Sequence, residues 1–140
     1  MPFVRMTVAG PALGSEQVSL LGSKMTQLMA SVLGKRADLT SVLVEQVAIA
    51  GWAIGGSPVK AAVHVDATIT AGTNSPEEKA RFIETTMGLL KSVMGSGLHP
   101  ATYVVVTEVA ADSWGYDGQT QKSRQEGRQE SRKQSRLPAA

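Results

Sequence analysis

The sequence predicts an α+β fold of two layers, in which a duplicated β-α-β unit forms a four-stranded sheet with two helices on one face. Residues 1–56 can be placed on residues 63–118 without a gap, and identical residues then recur, which indicates one unit used twice. Within each copy, two segments rich in β-forming residues flank a segment with helical spacing of apolar residues. The matched identical pairs include Ala9 and Ala71, Gly10 and Gly72, Met25 and Met87, Val42 and Val104, and Trp52 and Trp114.

The first copy reads as strand, helix, strand. Residues 3–9 are rich in β-formers and stop at a Gly-Pro turn signal. From Ser15 onward the apolar residues are spaced by three and four positions, which predicts a helix that Gly34 ends. Residues 40–48 form the next predicted strand. The predicted buried face of this helix comprises Val18, Leu21, Met25, Leu28, Met29 and Val32.

The second copy repeats this order. Strands are predicted at 63–70 and 103–110, with a helix between them. Ser75 is an N-cap residue, Pro76 suits the first turn, and Glu78 is placed for a capping box. The helix is therefore predicted to begin at this point and to end at a Gly-Ser-Gly segment. Its predicted buried face comprises Ile83, Met87, Leu90 and Met94.

The duplicated part, residues 1–118, is predicted to form one pseudo-symmetric domain with repeats at 2–56 and 64–118. Residues 119–140 follow as a tail with six basic and two acidic residues, leaving eight basic and ten acidic residues in the domain. The domain therefore has no basic face, and we expect no nucleic-acid partner. With one Leu and no aromatic residue, the tail cannot bury enough apolar surface to fold alone. We expect it to be disordered or loosely helical in solvent, or packed on a neighbouring subunit.

The strands of the sheet predict an oligomer. Residues 103–106 (YVVV) show no polar alternation, so both faces of the sheet need covering, and two helices cover only one. We expect the other face to pack against copies of this chain in a small closed ring.

Composition narrows the remaining function classes. No apolar run approaches the length of a membrane-spanning helix, and no signal peptide precedes the first strand, so we expect a cytoplasmic protein without a membrane partner. The chain has no cysteine, and His64 and His99 lack metal-ligand spacing. There is no phosphate-binding glycine loop. We therefore expect neither a metal nor a cofactor.

A family resemblance rests on the leading proline, the repeat and several short segments. Pro2 after the start methionine, the duplicated unit of about sixty residues and the hairpin at 51–56 (GWAIGG) resemble the tautomerase superfamily. Residues 39–56 look like a stretch of 4-oxalocrotonate tautomerase, and Gly34-Lys35 and Val63-His64 look like macrophage migration inhibitory factor. The resemblance implies a homotrimer with pockets near the subunit interfaces, a small carboxylate substrate and Pro2 as catalytic base.

The chemistry of Pro2 agrees with that role. Loss of Met1 would make Pro2 a secondary amine, and apolar surroundings would favour its neutral form. A base with a pKa near neutrality suits proton transfer at carbon beside a carbonyl. The alternative is that proline after methionine is a common chain start without consequence.

The substrate-binding residues depart from the pattern of the superfamily. The carboxylate-binding arginines of the superfamily have no counterpart here, since Arg5, Arg36 and Arg81 lie at other positions. Lys35 matches a pocket lysine of the family, although a lysine at a helix C-terminus also interacts favourably with the helix dipole. A dicarboxylate is therefore poorly served, and a small monocarboxylate is favoured.

Three further residues are candidates for substrate binding. Tyr103 falls near a pocket tyrosine of the family, or is simply a β-forming aromatic residue. Trp114 would form an apolar pocket wall, or would pack at a subunit interface. In the gapless alignment His64 occupies the position of Pro2, and it is either a pocket group or a core histidine.

These observations favour a keto–enol tautomerase acting on a small 2-keto or enol carboxylate. Two alternatives stay open on the same scaffold. One is a decarboxylase or dehalogenase, in which a protonated proline would act beside an activated water. The other is a trimer with weak or no catalytic activity, which the missing arginines favour.

Overall fold

The structure of the protein, a computed structural model, describes residues 2–136 and contains both β-α-β units. Each unit carries a two-stranded hairpin after its second strand, and a third helix follows the second hairpin. In chain order the elements are β1 (Phe3–Ala9), α1 (Ser15–Leu33), β2 (Ser41–Val47), β3 (Ala53–Ile54), β4 (Ser57–Pro58), β5 (Ala62–Thr70), α2 (Pro76–Met94), β6 (Tyr103–Val109), β7 (Gly115–Tyr116), β8 (Gln119–Thr120) and α3 (Gln121–Arg136).

The four long strands form one sheet in the order β2-β1-β5-β6. Within each unit the two strands run parallel, as a crossover helix requires. The units meet at β1 and β5, which are antiparallel, with Met6 opposite Val65. Both helices cover the same face of this sheet, so the predicted fold class is confirmed.

The core lies between that face and the two helices. Alternate residues of β1 and β5 point into it, and both helices contribute a buried line of side chains at spacings of four. Each buried side chain of this size contributes about 1.5–3 kcal/mol of transfer free energy. The fully buried residues include Val4, Met6, Val65, Ala67, Ile69, Leu21, Met25, Met29, Phe82 and Leu90.

The helix ends follow local sequence signals. α1 stops where Gly34 adopts the left-handed conformation, with φ of 68° and its N–H donated to Ala30 O. α2 starts at the predicted capping box, in which the Ser75 hydroxyl accepts the Glu78 N–H while the Glu78 carboxylate accepts the Ser75 N–H. The predicted bounds of both helices lie within one residue of the observed ones.

The gapless alignment of the two copies is one residue out of register in the first strand and helix. Val42 and Val104 are equivalent, and their neighbours in the sheet are Val4 and Val65. The structural counterpart of Pro2 is therefore Val63, and the predicted equivalence of Pro2 with His64 is wrong. One extra residue between α2 and β6 restores the spacing of the later strands.

This shift also corrects the buried face of α2. In register with α1, Phe82 corresponds to Leu21 and points into the core, whereas Ile83 is 42% exposed. Met87 and Met94 pack against the margin of the core, and Leu90 is buried as predicted. Thr86 takes the place of Met25, with its hydroxyl buried and unpartnered among the described residues.

The second face of the sheet is uncovered in the single chain. It exposes large apolar side chains between polar ones, including an ion pair of 2.7 Å between Arg5 and Glu45 and a hydrogen bond of 2.8 Å from Thr107 to Asp66. This face is more polar than the strand pattern predicted. Its exposed apolar residues are Phe3, Leu43, Val47, Tyr103 and Val105.

The described part of the tail is mostly helical, which excludes the disordered form of the prediction for these residues and agrees with its helical form. Residues 119–120 form β8, and α3 runs from Gln121 to Arg136. Packing of the tail on a neighbouring subunit stays a prediction. None of the helices in residues 2–136 is long and apolar enough to cross a membrane.

Candidate active site

Pro2 lies at one edge of the sheet, immediately before β1. It is buried, and its carbonyl oxygen accepts the Ser41 N–H at 3.1 Å. Phe3 lies opposite Thr68, so the chain at Pro2 points toward the end of β5. The start of β1, the start of β2 and the end of β5 therefore meet at this place, here called the Pro2 edge.

The C-terminus of α1 is tied to the loop after β5 at the same edge. Lys35 Nζ donates to Thr73 Oγ1 at 2.8 Å, and the Thr73 hydroxyl donates to the Thr70 carbonyl oxygen at 2.6 Å. Asn74 Nδ2 donates to Leu33 O at 2.9 Å, which satisfies one of the free carbonyls at the helix end. These bonds hold the Lys35 ammonium beside Pro2's end of the sheet.

The electrostatic environment of Lys35 mixes burial with acidic neighbours. Partial burial lowers the pKa of its ammonium below the usual lysine value, while Glu78 and Glu108 act in the opposite direction. A half-buried cation of this kind attracts an anion more strongly than a fully solvated one.

The hairpin of β7 and β8 brings two aromatic residues to the Pro2 edge. Trp114 Nε1 donates to Thr70 Oγ1 at 3.2 Å. Asp117 and Gly118 both have positive φ, 49° and 75°, as a two-residue turn between strands requires. The hairpin thus places half-buried Trp114 and Tyr116 next to the end of β5.

Helix α3 is anchored on this hairpin through its first turns. Gln121 N donates to Trp114 O at 3.0 Å, and Lys122 N donates to Ala111 O at 2.8 Å. The Arg124 guanidinium stacks on the Tyr116 ring at 3.7 Å and donates from Nη2 to Tyr116 O at 3.1 Å. Backbone bonds and stacking therefore dock the helix without the apolar surface that the sequence analysis required.

A cavity of about 200 Å³ lies between α1, the loop after β5, the hairpin and α3. It contains three cationic side chains, and none of its lining residues is acidic. Pro2 is not in its wall, although both lie at the same edge. The lining residues are Gly34, Lys35, Arg36, Leu39, Thr70, Thr73, Tyr116, Gln121, Gln125 and Arg128.

An open cleft of about 700 Å³ adjoins this cavity and shares Arg36, Tyr116 and Arg128 with it. Arg124 and Arg132 also line the cleft. Its four arginines give the cleft a strong positive charge. Only the charge of Arg36 is partly neutralised among the described residues, because Arg36 pairs with Asp38 at 2.6 Å. The Pro2 edge therefore favours anionic ligands.

Of the residues predicted for the site, the single chain brings Pro2, Lys35 and Trp114 to one edge. His64 lies opposite Thr7 and beside Tyr103, away from that edge. Tyr103 is 68% exposed on the uncovered sheet face. A role for these two residues at a neighbouring subunit's site stays a prediction.

The sequence analysis missed the contribution of α3. Gln121 and Arg128 line the cavity, although both lie in the tail, to which no role in the site was assigned. The signal was present, because arginine occurs at every fourth position, which places one side chain per turn on the same helix face. The residues of this stripe are Arg124, Arg128, Arg132 and Arg136.

Comparison with known proteins agrees with the fold and with the corrected repeat. The profile of the family described as "Tautomerase enzyme" matches the chain twice, over residues 2–62 and 63–124. The two matches begin at Pro2 and Val63, the pair that the sheet register makes equivalent. Since they cover most of the chain, this protein belongs to the tautomerase family.

One curated relative is similar in sequence, and solved structures share the fold. The probable tautomerase K2 of Dickeya dadantii (strain 3937) is 36% identical over 59 residues, which are 42% of this chain and 88% of the relative. The structure of Pt0534 inactivated by 2-oxo-3-pentynoate superposes with a TM-score of 0.75 at 13% identity, over 87% of this chain and 98% of that one. A fused 4-OT wild-type symmetric trimer gives 0.76 at 14%, with the same coverage. At these identities the solved structures establish the fold.

Proposed function

We propose that this protein is a keto–enol tautomerase that isomerises a small 2-keto or enol carboxylate. The observation that carries the proposal is the position of Pro2, buried directly before a central strand at the same edge as Lys35 and Trp114. Family membership and the probable tautomerase relative support an isomerase reaction in general.

Pro2 is the proposed general base. Removal of Met1 frees its secondary amine, whose ordinary pKa is near that of an α-amino group, about 8. Burial disfavours the charged ammonium and lowers this pKa, which raises the fraction of neutral amine at physiological pH. A neutral amine of moderate basicity is suited to abstract a proton from carbon beside a carbonyl.

The proposed reaction moves one proton and leaves the enzyme unchanged. The amine takes a proton from the carbon beside the keto group, the C–H electron pair forms a C=C bond, and the carbonyl π pair moves to oxygen. The resulting ammonium then protonates that oxygen, which gives the enol, and the reverse sequence gives the ketone. Lys35, held in place by Thr73, binds the substrate carboxylate.

The inactivator named for Pt0534 offers a direct probe of this base. 2-Oxo-3-pentynoate is a conjugated alkynone, and a neutral amine adds to its distal alkyne carbon. The nitrogen–carbon bond forms, a proton is transferred to the adjacent carbon, and no group leaves. We expect this protein to gain one whole reagent per chain at the Pro2 nitrogen.

The proposal is tested by the ketonisation of phenylenolpyruvate, followed by ultraviolet absorbance. Pro2→Ala replaces the secondary amine by a primary amine of different basicity and geometry. We expect the rate to fall about 10²–10⁴-fold, the usual contribution of a general base. A chain extended before Pro2 has an amide at this nitrogen and should lose at least as much activity.

A matched control is Pro58→Ala, which changes an exposed proline of β4 and should leave the rate unaltered. Equal rates in the wild type, Pro2→Ala and the extended chain would reject Pro2 as the base. Absence of any turnover above background would reject the tautomerase proposal itself.

We also infer that the working form is a homotrimer. The uncovered sheet face supports this, since it exposes Phe3, Leu43 and Val105 in the single chain. A symmetric trimer is named among the solved structures of this fold. Light scattering should give three times the chain mass of 14.7 kDa, and a stable monomer at micromolar concentration would contradict the inference.

A further inference from the structure

We propose that helix α3 provides the carboxylate-binding part of the site, with Arg128 and Gln121 holding the carboxylate group opposite Lys35. This inference rests on the proposed tautomerase function and names where the substrate is bound. In this proposal, residues of the C-terminal helix take the carboxylate-binding role of the arginines that the duplicated part lacks.

Two cationic side chains from different helices meet at one cavity. Lys35 comes from the end of α1 and Arg128 from the middle of α3, yet both line the cavity of about 200 Å³. No ion pair joins Arg128 to an acidic residue in the described part of the chain. Its five N–H donors therefore remain available for the planar, two-oxygen geometry of a carboxylate.

The side chain of Gln121 has an unsatisfied hydrogen-bond donor. Gln121 lines the same cavity and is only 4% exposed, and its side-chain Nε2 is buried without a hydrogen-bond partner among residues 2–136. Buried amide donors in folded proteins are nearly always paired. A hydrogen-bond acceptor that enters the cavity beside Arg128 and Lys35 would satisfy Gln121 Nε2. A carboxylate supplies such an acceptor and also carries the negative charge that the two cations favour.

The docking of α3 fixes the position of the helix relative to the hairpin of β7 and β8. The bonds of Gln121 N to Trp114 O and of Lys122 N to Ala111 O hold the first turn, and Arg124 is stacked on Tyr116. Arg128 lies one turn beyond Arg124, so it reaches the cavity from a fixed base. The helix is therefore a positioned binding element.

The test compares an acid with its uncharged ester in the full-length protein. Arg128→Gln should raise KM for phenylenolpyruvate at least about tenfold, as expected for one lost charge-assisted hydrogen bond, with little change in kcat. Turnover of the methyl ester should be unchanged, because the ester lacks the carboxylate. Arg128→Lys should restore part of the affinity.

Arg136→Gln is the matched control, since it removes the same charge from the same helix stripe but lines neither cavity. We expect it to leave the acid-to-ester ratio of kcat/KM unaltered. An unchanged ratio in Arg128→Gln, or an equal fall in both variants, would overturn the proposal. Equal loss toward acid and ester would indicate structural damage instead of a lost carboxylate contact, and it too would overturn the proposal.

Binding of benzoate, which has no transferable proton, separates this inference from the proposed function. Calorimetry should show benzoate binding that weakens with salt and is lost in Arg128→Gln but kept in Arg136→Gln. If benzoate behaves so while the wild type turns nothing over, the proposed reaction is wrong and the binding site stands. If the wild type turns over normally and Arg128→Gln changes neither the acid-to-ester ratio nor benzoate binding, the proposed reaction stands and the role of α3 is wrong.

Discussion

The two repeats build the same edge twice, and the two edges differ in charge and in backbone chemistry. The Pro2 edge contains Lys35 and Arg36, whereas their counterparts at the other edge are Ser96 and Gly97. The cavity there, about 490 Å³, has Lys60 as its one cationic lysine or arginine among the described lining residues. Helix α3 adds further cations only to the Pro2 edge.

The two edges also differ at the backbone nitrogen, and this difference decides whether a base can exist there. Val63, the counterpart of Pro2, lies inside β5 with peptide bonds on both sides, and an amide nitrogen cannot accept a proton. Of these two equivalent positions, only Pro2 can therefore supply the free amine that the proposed reaction uses. The scaffold is symmetric, and the proposed chemistry is not.

Among changes that convert a residue of one repeat to its counterpart in the other, Lys35 is expected to give the largest effect. Lys35→Ser removes the ammonium beside Thr73 and should raise KM for the enol carboxylate about 10–100-fold, since hydrogen bonds to charged groups contribute about 1.5–3 kcal/mol. Steady-state kinetics measure this change. The reverse variant, Ser96→Lys, should create no second site, and extra turnover from it would break the comparison.

The two tryptophans give the next effect. Trp114→Phe removes the bond to Thr70 Oγ1 and part of the proposed apolar wall, so we expect the acid limb of the pH–rate profile to move to higher pH as the amine becomes better solvated. Trp52→Phe, the same change in the first hairpin, should leave the profile in place. A shift of the same size in both variants would show that the edges are coupled.

How far the sequence predicts this molecule depends on the kind of signal. Strand bounds and the start of α2 were predictable, because β-rich segments and the Ser75 capping box are local. The repeat register was not, since the identical glycines Gly10 and Gly72 favoured a gapless alignment. Pairing of Val4 with Val42 and of Val65 with Val104 instead makes Val4 and Val65 equivalent. That slip also produced the wrong buried position, Ile83.

The candidate site was predicted only in part. Lys35 and Trp114 could be assigned to the Pro2 edge because family resemblance supplied their positions. Gln121 and Arg128 could not, because the segment has too little apolar content to predict folding from composition. Its docking depends on the Trp114 and Ala111 carbonyl oxygens and the Tyr116 ring, which only the hairpin geometry brings together.

The smallest effects concern how the two main helices begin. Ser75→Ala removes the N-cap of α2 and should lower the free energy of unfolding by about 1 kcal/mol. Gly14, at the same place before α1, has no capping side chain, so Gly14→Ser should add a few tenths of a kcal/mol. Urea unfolding at one fixed protein concentration measures both changes, and an inverted order would show that capping does not decide helix stability here.

Acid should reduce one part of the α2 cap. The pKa of Glu78 is lowered, chiefly because its carboxylate accepts the Ser75 N–H. A lowered pKa stabilises the fold above the usual glutamate value, and this stabilisation is lost as the pH falls through the folded-state pKa. The stability difference between the wild type and Glu78→Ala should therefore shrink in acid, and a constant difference would contradict the assignment.

The most direct test of the central claim, that only the Pro2 edge forms a reactive site, is peptide mapping after treatment with the alkynone reagent. We expect one adduct per chain, on the peptide that begins at Pro2, with activity lost in proportion to labelling. Pro2→Ala should label more slowly, and the Val63 edge should carry no adduct. An adduct at another residue with activity lost, or an N-terminal peptide that still begins at Met1 in active protein, would contradict the account.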